Sequence, residues 1–189
     1  MFFGQMLPRC PSYRKSQLGR MQVLVLGLPR TGTQSLADGL AILGISPIYH
    51  MREVGKNNHA DLWTALMYQK FDKDGSSQRQ GDLVTILSNY KCVADYPAAI
   101  FVDELLAAYP EAAVILTVRS EDSWAKSMKQ TIVHYLNHRV IDEKTPMAVM
   151  SRTYSKFCWD DDFEKNGLAL FRQHNEQDDW LGYKKQIHK

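Results

Sequence analysis

Apolar positions along the chain fall into two alternating patterns. Short unbroken runs occur at MQVLVLG (21–27), ISPIYHM (45–51), KCVAD (91–95) and AAVILTV (112–118). Runs of this length, bounded by glycine, proline or charge, read as strands buried on both faces of a parallel sheet. AAVILTV is the clearest candidate for a central strand. Between the runs, apolar residues recur at helical spacing. Leu36, Leu40 and Leu43 predict a helix over 35–43 that Gly44 stops. Leu62, Trp63 and Leu66 predict a core-facing helix over 60–71, and a short helix passes through Leu83 and Leu87. Pro97 fits the opening of a helix ending near Tyr109. Ser120 reads as the cap of a helix whose first turn holds Glu121 and Asp122, where carboxylates favour the positive helix end. DKDGSSQRQGD (72–82) reads as a loop, and a last helix is expected over 163–173. Strands alternating with helices predict an α/β fold of three layers around a mostly parallel sheet.

Composition adds bounds. The chain has 189 residues, enough for one domain, here read as residues 21–189. Residues 1–20 carry Arg9, Arg14, Lys15 and Arg20 with no acid, and read as a basic tail or an organelle-targeting segment. A net charge of only +2 argues against a nucleic-acid surface. Cys10, Cys92 and Cys158 lie far apart, which argues against a disulfide scaffold and for a reducing, cytoplasmic setting. No apolar run approaches the roughly 20 residues of a transmembrane helix.

The chemistry begins at GLPRTGTQS (27–35), between the first strand and the first helix. Gly27 and Gly32 match the start of the G-x-x-x-x-G phosphate loop, but Thr33 and Gln34 stand where an ATP or GTP loop needs Lys and Ser/Thr. No acidic partner strand for a Mg²⁺ ion is evident, and the dinucleotide G-x-G-x-x-G spacing fails as well. Anion binding survives these exclusions. Helix N-terminal amides would point at an oxyanion, with Thr31, Thr33 and Ser35 as hydroxyl donors and Arg30 as a bidentate donor. A second grip follows the AAVILTV run: Arg119 ends it, where parallel sheets place ligands, and Ser127 lies about two helical turns on. Two separate anion grips suggest a ligand with two phosphate groups.

With these residues in view, the sequence resembles the sulfotransferases of the P-loop superfamily, which transfer sulfuryl from 3′-phosphoadenosine 5′-phosphosulfate (PAPS). Their 5′-phosphosulfate loop is similar to LPRTGTQSL (28–36), and their 3′-phosphate motif matches Arg119 and Ser127. A sulfotransferase-like branch with GLPRTGTxSL, YHMREV, DYPAA and AYPxAxVILTVR in this order is the nearest in pattern, over roughly residues 22–135. The resemblance implies a P-loop fold binding PAPS, with 3′-phosphoadenosine 5′-phosphate (PAP) as product. It assigns Arg30, Thr31, Gly32, Thr33, Gln34, Ser35, Arg119 and Ser127 to the nucleotide. Arg30 stands where many sulfotransferases have a Lys on the transferring group; it can stabilise charge but is a poor proton donor. QHNEQ (173–177) is similar to a helix that a further strand follows in that branch, whereas here DDWLGYKKQIHK follows. The resemblance thus implies a fold shortened at its C-terminus, with a sheet edge that pairing between chains can cover.

Transfer needs a base for the acceptor's proton. His50, Glu53 and Asp95 are the candidates: His50 titrates near neutrality, and Asp95 alternatively orients an arginine or the acceptor. Trp124 either lines the ligand pocket or is buried by its helix. No histidine shows metal-ligand spacing, so no metal is assigned. The expectation is a PAPS-dependent sulfotransferase with a small-molecule hydroxyl or amine acceptor. The alternative is a catalytically impaired relative that binds PAP or PAPS, or another protein.

Overall fold

The computed structural model describes residues 21–72, 82–134 and 144–159. Its strands are β1 (Val23–Val25), β2 (Ile48–Tyr49), β3 (Cys92–Ala94) and β4 (Ala113–Ile115). They form a parallel sheet in the order β2-β3-β1-β4, with Leu24 opposite Val93 on one side and Val114 on the other. The helices are α1 (Thr33–Ile42), α2 (Met51–Lys56), α3 (Ala60–Phe71), α4 (Leu83–Leu87), α5 (Val102–Ala108), α6 (Glu121–Met128) and α7 (Pro146–Tyr154).

Because strand side chains alternate between faces, β1 serves two cores at once. Val23 and Val25 pack with Ile48, Cys92 and Ala94 against Ala37 and Leu40 of α1. Leu24 and Leu26 point the other way, into a larger core with Trp63, Met67, Ile86, Phe101, Leu105 and Met150. The result is the expected α/β fold with a mostly parallel central sheet between helical layers. No helix among the described residues is long and apolar enough to cross a membrane. Residues 1–20, most of the loop expected over 72–82, the helix expected over 163–173 and the C-terminal shortening that the resemblance implies lie outside the described residues.

Four expectations are corrected. β4 is not central among the described residues: it pairs with β1 alone, and its residues are exposed or half-buried. An apolar run cannot tell the middle of a sheet from its margin, since the facing layer decides how much of it is covered. Leu43 is 77% exposed because α1 ends at Ile42 and the chain turns through Gly44 at φ 88°. Leu62 points outward at 37% exposed, whereas its neighbour Trp63 is fully buried. Pro97 opens a 3₁₀ turn over Ala98–Ile100 rather than α5, which starts at Val102. At α6, Ser120 occupies the cap position without a side-chain hydrogen bond, while Glu121 and Asp122 do sit in the first turn.

Candidate functional site

All strands run the same way, so the segments leaving β1, β3 and β4 emerge together at the sheet's C-terminal margin. Such a margin, where connections diverge to opposite sides, is where open α/β sheets hold ligands. The segment after β1 is the loop 27–32. Its first turn is locked by hydroxyls. Thr31 donates to the Leu28 carbonyl at 2.6 Å, so the 2.6 Å contact between the Thr31 and Thr117 hydroxyls must take its proton from Thr117. Gly27 lies under this pair: a Cβ there would overlap the Thr117 hydroxyl and sit 2.7 Å from that of Thr31. Gly27→Ala is expected to lower stability by about 1–3 kcal/mol, the range for overpacking. A lower urea midpoint at unchanged slope would report it, and an unchanged midpoint would refute it.

The loop then passes through two left-handed residues, Arg30 at φ 70° and Gly32 at φ 96°. Glycine adopts this conformation freely; for arginine it costs about 1–2 kcal/mol. That strain turns the chain so that α1 begins with no side-chain cap and no acid in its first turn. Its first amides thus take no side-chain cap, the arrangement by which helix starts commonly receive anions.

The segment after β4 closes over the loop from the other side. Arg30 Nε donates to Ser127 Oγ at 3.1 Å, across 97 residues of sequence. Arg119 Nη1 donates to the Arg30 carbonyl at 3.0 Å, and its Nε to Ser123 Oγ at 2.7 Å. The Trp124 indole donates to the Pro29 carbonyl at 2.8 Å and is fully buried, so the tryptophan is a core residue that ties α6 to the loop. The two expected grips are thus one contiguous patch. Other loop donors are already engaged: the Gln34 amide lies 2.9 Å from both oxygens of Asp38. Ser35 is exposed, and Thr33 is buried at the start of α1.

Asp95 follows β3, next to the loop, and is the third member of this margin. It too is left-handed, at φ 69°, and is 8% exposed. His50, 6% exposed at the end of β2, brings Nε2 to 3.4 Å from Asp95 Oδ2. Neither ring nitrogen of His50 makes a hydrogen bond with a described residue, nor does Asp95 Oδ1. Burial pushes the carboxyl's pKa up, against the opposing pull of His50, the Tyr96 amide and the Thr33 hydroxyl. Burial likewise pushes the His50 imidazole down, against the carboxylate's attraction. Desolvation outweighs attraction on both sides, which favours neutral forms. This pairing was not legible in the sequence, since 45 positions separate the partners and neither run shows a motif for it. Asp95 was legible as a strand end, but not that this strand lies beside β1 and brings the acid close to the Thr33 hydroxyl.

Glu53 lies apart. It binds Lys56 at 2.8 Å and faces a cleft along the outer edge of β2 rather than the loop. Arg52 beside it reaches Asp38 at 3.1 Å.

Comparison with known proteins identifies the lineage. A family model described as "Sulfotransferase domain" matches residues 22–181, and the chain belongs to this family. It is 46% identical over 140 residues to "Ava biosynthesis cluster protein M" of Aspergillus versicolor, a match covering 74% of this chain and 52% of that relative. The chain therefore spans about half the length of the curated relative it matches.

Proposed function

We propose that this member of the sulfotransferase-domain family transfers a sulfuryl group from PAPS to a hydroxyl or amine of a small acceptor. One observation carries the reading: Arg30, Arg119 and Ser127 converge on the uncapped start of α1. The α1 amides would hold the 5′ side of the nucleotide, and Arg119 with Ser127 the 3′-phosphate. The nucleotide supplies the activated sulfur. The chain supplies fixed positive charge where the leaving phosphate's charge grows, through Arg30.

The acceptor's oxygen or nitrogen forms the new bond to sulfur while the bond from sulfur to the phosphate oxygen breaks. The acceptor's proton passes to the His50–Asp95 pair and the charge leaves on PAP. A neutral imidazole is the form that can take a proton, and burial holds His50 in that form. Its unpartnered nitrogens also favour a ligand atom there, since a buried polar atom without a partner costs about 1–3 kcal/mol. Glu53, already paired with Lys56, is the weaker candidate for the base.

Calorimetric titration with PAP, AMP and Mg²⁺–ATP tests the nucleotide site. PAP is expected to bind well above AMP, and Arg119→Ala to weaken PAP by roughly ten- to a hundredfold, the worth of a hydrogen bond between charged groups. Folded protein that does not bind PAP would overturn the reading. Preference for Mg²⁺–ATP would instead make Asp95, beside the Thr33 hydroxyl, a metal-site acid of a nucleotide hydrolase.

A further inference from the structure

We infer that the cleft along the outer edge of β2 is a second ligand site, shaped for a neutral, hydroxyl-rich small molecule such as a sugar. Its volume is about 500 Å³, and its walls include Arg52, Glu53, Asn57, His59, Thr85 and Tyr90. That size falls within the about 300–1,000 Å³ of small-molecule sites. No residue of the phosphate loop lines it, nor do Asp95, Arg119 or Ser127, and β3 stands between its edge strand and β1. The inference therefore does not depend on the nucleotide reading.

The walls are fixed from behind by one buried side chain. Tyr49 is fully buried; the His59 ring stacks on it at 5.9 Å and 8°, and the Tyr90 ring meets it edge-on at 4.9 Å and 84°. Hydrogen bonds then set the proton on His59. The Trp63 indole can only donate, and does so to the Tyr49 hydroxyl at 2.7 Å. The buried phenol must place its own proton, and His59 Nδ1 lies 3.2 Å away to accept it. Nδ1 is thereby the acceptor, so Nε2 carries the hydrogen as a fixed donor on a ring that lines the cleft.

Glu53 supplies the complementary acceptor. Lys56 takes its Oε1 at 2.8 Å, while Oε2 accepts no bond from a described residue. Asn57 is anchored through its amide nitrogen to the Glu53 carbonyl and the Tyr90 hydroxyl, at 2.7 and 3.1 Å. A fixed donor, a fixed acceptor and rigid ring walls thus surround one space.

Charge decides the class. Arg52 and Glu53 put one cation and one anion on the walls, so an anionic ligand meets the carboxylate and a cationic one the guanidinium. A hydroxyl both donates and accepts, and satisfies His59 and Glu53 without bringing an unpaired charge. Ring C–H faces of a sugar also suit the flat walls.

Calorimetry on the full chain tests this, with methyl β-glucoside and cellobiose as neutral probes and methyl β-glucuronide and glucosamine as anionic and cationic controls of the same shape. Intrinsic tryptophan fluorescence, to which Trp63 contributes, provides a second readout, because the Trp63 indole is bonded to Tyr49 behind the cleft. Saturable binding of a neutral probe is expected, weakened about two- to tenfold by His59→Phe, which keeps a ring against Tyr49 but removes the Nε2 donor, for one lost hydrogen bond. Asn89→Ala, at the exposed rim, should weaken it without touching the core, which keeps the test valid if His59→Phe does not fold. Arg119→Ala should leave it unchanged. Folded protein that binds neither sugar, binds a charged control as tightly, or keeps full sugar affinity in Asn89→Ala and in any folded His59→Phe would overturn the inference.

Discussion

Trp124→Ala is expected to cost about 3–5 kcal/mol of stability, the range for removing a fully buried tryptophan from a close-packed core. The side chain is 0% exposed and packs with Met128, Leu28, Ile100, Tyr154 and Phe157. Its indole N–H is also the bond that pins α6 to the Pro29 carbonyl. Two consequences follow together: the core under α6 loses its largest side chain, and the loop loses the anchor next to Arg30. Denaturant unfolding should therefore show a large drop in midpoint, with nucleotide affinity falling in the same variant. Trp124→Phe separates the two effects. It keeps most of the apolar contact but strands a buried carbonyl, for a loss of about 1–3 kcal/mol. Should Trp124→Ala weaken nucleotide binding while leaving stability within about 0.5 kcal/mol, the residue would be a ligand contact and the packing account wrong.

Asp95→Asn should separate activity from stability in the opposite sense. Asparagine tolerates the left-handed backbone that Asp95 adopts, so the turn after β3 is retained. Loss of a positioned proton-accepting partner is expected to reduce sulfuryl transfer by about 10²–10⁴-fold, measured as PAP release from PAPS with an accepted hydroxyl compound. Stability should not fall with it. Burial raises the Asp95 pKa above 3.8, so the folded state binds this proton more readily than the unfolded one. Stability contributed by the group is present below the ordinary carboxylate pKa and is lost as pH rises from there through the folded value, so a penalty is present at neutral pH. Asparagine removes that penalty, and the melting temperature at neutral pH should be equal or higher.

The histidine titrates with the other sign. Its pKa is lowered below 6.5, so its contribution is lost as pH falls through 6.5 towards the lowered value. Asp95 is what holds the His50 pKa up against burial, so the acid limb of the pH–rate profile should move to lower pH in Asp95→Asn. An acid limb that stays in place, or full activity, would remove Asp95 from the proton path.

Patterning alone reached the architecture because it reports local constraints. Unbroken apolar runs at 23–25 and 92–94 are covered on both faces, as periodic apolar positions between the strands predict. Turn chemistry was legible for the same reason: glycines 27 and 32 with hydroxylic neighbours dictate a tight loop before α1. Arg119 was legible as the end of an apolar run and Ser127 as a position on the helix after it, but each bonds Arg30 rather than the other. What failed were one-residue decisions about exposure. Leu62 against Trp63 differ by only about 100° around a helix, and the neighbouring layer chooses between them.

The sequence by itself determined that a parallel α/β sheet would end one strand in a tight, glycine-bounded turn carrying Arg30, since backbone sterics and apolar periodicity act over a few residues. Only the tertiary structure decided that Ser127 meets the Arg30 guanidinium, that His50 and Asp95 share a buried space, and that Glu53 faces a different cleft. Those outcomes depend on strand order, which places β3 and β4 on either side of β1. Order is set by how whole layers bury their apolar faces, a sum over distant residues that no local pattern contains.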